Sequence, residues 1–121
     1  TSVSESELGR LGYKEGLSLR QLVLDRAKLA KKSGCAGVVC SGEEVALIKQ
    51  KCSNDFKAVV PGIRPIWADI KKDDQSRIVT PREAISNGAD LIVVGRPIRD
   101  AKEPSVAALK IIEEIESALS V

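Results

Sequence analysis

Histidine is absent from the 121-residue sequence. That removes Ser–His and Cys–His nucleophilic catalysis and most zinc sites. Methionine is absent as well. A primary translation product starts with one, so Thr1 is expected not to be its beginning; removal of a single residue or a larger missing N-terminal part would each account for that. The three cysteines, Cys35, Cys40 and Cys52, are an odd number without metal-ligand spacing. They predict free thiols in a reducing cytoplasm. No stretch approaches the roughly 18 apolar residues of a membrane helix, and the opening residues are not expected to be a signal peptide. Neither sign of charge dominates: 19 Lys and Arg stand against 17 Asp and Glu, a formal net charge of +2. No general attraction to nucleic acid or to a membrane follows. Basic pairs such as Lys31-Lys32 and Lys71-Lys72 read as solvated faces.

What is present is an alternation of helical and strand patterns. Ser4 with Glu7 is a capping-box pair, and Leu8, Leu11 and Gly12 complete a short helix over about 4–11. Ser18 caps a longer one, over about 18–33, with Leu19, Leu22, Val23, Ala27 and Ala30 on its apolar side. Ala36 to Cys40 is a continuous apolar run, as expected of a parallel strand covered on both faces. Ser41 caps the next helix, with Val45, Leu47 and Ile48 inward. Phe56 to Val60 is the second strand. Pro61 to Val79 lacks periodicity, and a loop of that length within a compact domain is usually functional. Thr80, Pro81 and Glu83 open a helix that stops at Asn87-Gly88. Leu91 to Val94 is the third strand. Pro104 to Leu119 is an amphipathic helix with Leu109, Ile112, Ile115 and Leu119 on one stripe.

This order predicts right-handed βαβ units and a parallel sheet. Three strands alone leave both lateral edges open, which is an aggregation hazard. A (β/α)₈ barrel takes about 250 residues, roughly twice this length. The fold class predicted is therefore α/β: about three β/α units plus the preceding helices, the C-terminal part of a (β/α)₈ barrel. Residues 1–121 form a single partial domain completed by an N-terminal part. The rival is a small flavodoxin-type α/β domain, which wants more strands.

The chemistry gathers where strands end. Gly95-Arg96 follows one apolar strand and Gly62-Ile63-Arg64 the one before it. Glycine permits a turn and close ligand approach, and arginine offers a planar fork matched to phosphate oxygens. A strand–glycine–helix junction also aims N–H groups at an anion. The alternative for each is a tight turn with a surface arginine. Gln75, in the long loop, can donate to a phosphate and accept from a base, or be an ordinary loop residue. Trp67 can stack on a base or cover apolar surface at the loop root. Asp69, Asp73 and Asp74 can hold magnesium or a sugar, or be solvated charges. No carboxylate pair with a neighbouring lysine lies on a strand end, so these residues argue for ligand binding rather than catalysis.

Val-Val-Cys-Ser (38–41), Pro-Gly-Ile-Arg-Pro (61–65), Asp-Gln-Ser-Arg-Ile-Val-Thr-Pro (74–81) and Gly-Ala-Asp with Val-Val-Gly-Arg-Pro-Ile (88–98) resemble the orotidine 5′-phosphate decarboxylase family. The opening Thr-Ser (1–2) resembles the segment after that family's fifth strand. The resemblance implies a dimeric barrel that converts orotidine 5′-monophosphate to UMP and carbon dioxide, without metal or organic cofactor. It places substrate contacts on Thr1 near the pyrimidine, on Arg64, on Gln75 in the mobile loop, and on Gly95 and Arg96 at the phosphate. The residues themselves point to the last four and say nothing of Thr1. The family's catalytic Asp-Lys…Asp network lies on strands outside this sequence, so no catalytic residue is assigned here. Ile66-Trp67-Ala68 departs from the family's usual small residues and lengthens the loop before Gln75. A sister barrel lyase for sugar phosphates and a noncatalytic nucleotide-binding module are the alternatives.

Overall fold

The computed structural model describes residues 3–14, 16–68 and 77–120. Its elements are α1 (Glu5–Leu8), α2 (Leu19–Lys32), β1 (Gly37–Val39), α3 (Val45–Cys52), β2 (Lys57–Val60), α4 (Pro81–Ser86), β3 (Leu91–Ile92), α5 (Arg96–Arg99) and α6 (Pro104–Leu119). Local chemistry accounts for the starts. Ser18 Oγ accepts from the Gln21 N–H at 3.1 Å and caps α2. At α4, Thr80 Oγ1 accepts from the Glu83 N–H at 3.2 Å and Glu83 Oε2 accepts from the Thr80 N–H at 2.8 Å. Pro81 fills the first helical position, where no N–H is needed.

Several boundaries differ from the sequence reading. α1 stops at Leu8. Ser41 caps a turn instead of a helix: its Oγ accepts from the Glu43 N–H at 3.2 Å, and α3 begins only at Val45. β3 is two residues long, although the Val93 N–H still donates to Val60 O at 2.8 Å. α5 is a short extra helix that the Arg96-Pro97-Ile98-Arg99 pattern does not announce.

β1, β2 and β3 form a parallel sheet in that order, with Val38 opposite Ala58 and Val60 opposite Ile92. Side chains alternate between its faces. Val38, Ala58, Val60, Ile92 and Val94 meet Ala27, Val45, Ile48, Phe56 and Ala84 in the core beneath the helices. Among the described residues of this chain only the helical face of the sheet is covered. Val39, Leu91 and Val93, on the opposite face, are 71%, 61% and 52% exposed. On α6 the inward residues are Ala107 and Ile111, while Leu109, Ile112 and Leu119 of the expected stripe are exposed. α4 lies against α6, and small residues such as Ala107 suit a close helix pair better than leucines do.

The lower end of the sheet is held by charge. Asp90 Oδ2 accepts from Lys49 Nζ at 2.5 Å and from the Ala58 N–H at 2.8 Å, and Oδ1 accepts from Lys57 Nζ at 3.0 Å. Burial alone would raise this carboxyl; the three donors outweigh it and hold it well below the usual carboxylate range.

Candidate functional site

Because β2 and β3 pair directly and run parallel, their C-terminal tips adjoin. After β2 the chain turns at Gly62 in the left-handed region (φ +74°), a conformation that favours glycine. Ile63 then plugs into the core, fully buried, and Arg64 follows, half-buried, with Nη1 donating to Ile63 O at 2.8 Å. The long loop is closed at its stem. Ile63 and Val79 form a parallel bridge, in which the Arg64 N–H donates to Val79 O at 2.9 Å and the Val79 N–H to Gly62 O at 3.3 Å.

After β3 the chain reaches Gly95, whose φ of −105° is negative, so no left-handed turn requires glycine there. What the missing side chain leaves is room: a Cβ built on Gly95 meets nothing within 4 Å. Arg96 opens α5 and is half-buried. The expectation of several helix N–H groups aimed outward is reduced. Pro97 has no N–H, and the Ile98 and Arg99 N–H groups donate to Gly95 O at 3.0 Å. A four-residue helix also carries little dipole. What remains of the expected arrangement at this tip is the Arg96 side chain and the open face of Gly95. Thr1 and Gln75 lie outside the described residues, as do Asp69, Asp73 and Asp74.

Other loop residues are engaged around the site. Trp67 Nε1 donates to Glu114 Oε1 at 2.7 Å, and Lys110 Nζ lies 5.3 Å from the ring centroid. Of its two sequence readings, the structure puts Trp67 against α6 at the loop root. Arg77 Nη1 forms a buried ion pair with Glu44 Oε1. Sequence reasoning missed this pair; an arginine in a polar loop and a glutamate at a helix start each look solvated until the fold brings them together.

Cys35 is exposed and Cys40 buried. Burial, reinforced by the Glu44 charge against the opposing pull of Arg77 and Lys49, pushes the Cys40 thiol up to about 11. In the folded protein at pH 8, a thiol-reactive disulfide reagent is expected to label Cys35 quickly and Cys40 only on unfolding. Equal rates at both, read by peptide mass, would show the burial to be wrong.

Among the described residues no helix is long and apolar enough to cross a membrane. Residues 1–111 match the family model "Orotidine 5′-phosphate decarboxylase / HUMPS family". The chain is 47% identical over 116 residues to an orotidine 5′-phosphate decarboxylase of Syntrophomonas wolfei, covering 96% of this chain and 48% of that protein. It is 46% identical over 121 residues to one of Desulfosudis oleivorans, covering 98% and 49%. Among solved structures, the orotidine 5′-phosphate decarboxylase of Lactobacillus acidophilus superposes with a TM-score of 0.76 at 37% identity, over 95% of this chain and 45% of that one. The chain thus spans about half the length of the curated relatives it matches, and its three-stranded parallel sheet is one part of a (β/α)₈ barrel wall. The chain belongs to the orotidine 5′-phosphate decarboxylase / HUMPS family.

Proposed function

We propose that the chain is the phosphate- and pyrimidine-binding part of an orotidine 5′-phosphate decarboxylase, an enzyme of pyrimidine biosynthesis that converts orotidine 5′-monophosphate to UMP and carbon dioxide. One observation carries the reading: two paired parallel strands with adjoining tips are each followed by an arginine, Arg64 after β2 and Arg96 after β3, the second directly after the open face of Gly95. In this reading Arg96 and Gly95 hold the phosphate, Arg64 and Gln75 act from the loop side, and Thr1 lies near the pyrimidine. The phosphate is remote from the carbon that loses carbon dioxide. Its binding energy serves to orient the substrate and expel water, so it acts on the transition state without a protein group of this chain touching the reacting bond.

The chemistry itself is supplied by an N-terminal portion of the barrel carrying the family's Asp-Lys…Asp network. Two uncovered apolar surfaces support that division. Val39, Leu91 and Val93 face where the barrel interior would be, and Leu109, Ile112 and Leu119 face where further barrel elements would pack. Residues 1–121 are then a single partial domain. The assembled enzyme is a homodimer of the cytoplasm, requiring neither metal nor organic cofactor.

A chimaera tests this: the chain replaces the matched C-terminal half of the Syntrophomonas wolfei relative. Loss of the orotate absorbance and release of carbon dioxide are followed with chelator present. Turnover inhibited by 6-aza-UMP and indifferent to sugar phosphates is the expected result. A folded chimaera without turnover, or one inhibited by sugar phosphates instead, would overturn the assignment.

A further inference from the structure

Glu44 ends the turn after β1 and is 4% exposed, and Arg77 sits two residues before Val79 at the root of the long loop. Their ion pair is incomplete: among the described residues, Glu44 Oε2 and Arg77 Nε are buried without a hydrogen-bond partner. Burial raises the Glu44 carboxyl in spite of the arginine beside it. Such a pair is a poor device for stability, since apolar side chains of similar volume often serve as well; holding one geometry is a better-attested use.

The surrounding contacts show which geometry is held. A Cβ on Gly42 would stand 2.3 Å from Val79 Cγ2, so the turn after β1 fits against Val79 only because residue 42 has no side chain. Asn87 Nδ2 donates to Gly42 O at 3.1 Å and ties the same turn to the end of α4. Val79 in turn exchanges backbone hydrogen bonds with Gly62 and Arg64. A continuous path therefore runs from Glu44 through Arg77 and Val79 to the backbone of Arg64.

We infer that Glu44 and Arg77 are positioning residues for Arg64, fixing the segment 77–79 that sets where the Arg64 backbone lies. The inference rests on the functional reading above and adds to it two residues that act through Arg64. It is tested in the complete, active barrel with Glu44→Gln and Arg77→Lys, which keep volume while weakening the pair. Each is expected to raise KM for orotidine 5′-monophosphate about tenfold with kcat changed less than about threefold. The same changes in an Arg64→Ala background are expected to add less than about twofold, because the group they position is gone. A merely structural pair would lower Tm and leave KM alone, or shift KM equally in both backgrounds; either result overturns the inference. So would a failure of both variants to fold. If the unsubstituted barrel itself does not decarboxylate orotidine 5′-monophosphate, the functional reading fails instead, and the two failures are distinguishable.

Discussion

Replacing Arg96 by alanine in the complete enzyme is expected to raise KM for orotidine 5′-monophosphate by about two to three orders of magnitude, with a much smaller change in kcat. A bidentate guanidinium–phosphate pair contributes about 3–4 kcal/mol, and each 1.4 kcal/mol is roughly tenfold in affinity. Arg96 stands at the first position of α5, directly after a glycine whose missing side chain leaves open space. Arg64, at the adjoining tip, preserves part of the attraction and keeps the loss finite. Arg96→Lys should fall between, since lysine keeps the charge and loses the planar fork. Steady-state kinetics at fixed ionic strength read the outcome. A kcat/KM indifferent to both substitutions would remove Arg96 from the phosphate site.

The second large effect lies at the opposite end of the sheet and concerns stability. Asp90→Asn keeps the shape but leaves one former oxygen as a donor facing a lysine ammonium or the Ala58 N–H. The expected cost in the complete barrel is about 2–3 kcal/mol at pH 7, a fall in Tm of roughly 5–10 °C. The sign with pH follows from the depressed carboxyl. Its contribution is fully present above the unfolded value near 4 and is lost as pH falls below it towards the folded value. Parent and variant melting temperatures should therefore converge in acid and separate at neutral pH. A gap independent of pH, measured by calorimetry, would mean that packing and not charge is what Asp90 supplies.

Residues whose role is local were legible in the sequence. Thr80-Pro81 with Glu83 marks the start of α4, and Ser18 marks α2, because caps act within one turn. The apolar runs place three strands correctly, although β3 is shorter than Leu91–Val94. Gly62, Arg64, Gly95 and Arg96 could be singled out because turn chemistry and charge recur after consecutive strands. What escaped depends on long-range placement. The α6 stripe follows the spacing of its large apolar residues, yet in the fold, where α6 lies against α4, Ala107 and Ile111 are buried and Leu109 and Leu119 are exposed. Cover on both sheet faces was inferred from apolar strands, and only the helical face is covered by this chain. The Glu44–Arg77 pair and the Ile63–Val79 bridge join segments distant in sequence, and neither leaves a periodic trace.

Titrating the chain into the separately prepared N-terminal half of the Syntrophomonas wolfei relative, while following decarboxylation of orotidine 5′-monophosphate, addresses the division of labour most directly. Neither polypeptide alone should turn over the nucleotide, and the rate should rise with added chain and saturate at equimolar ratio. Turnover by the chain alone, or none from a soluble, associated mixture, would contradict it.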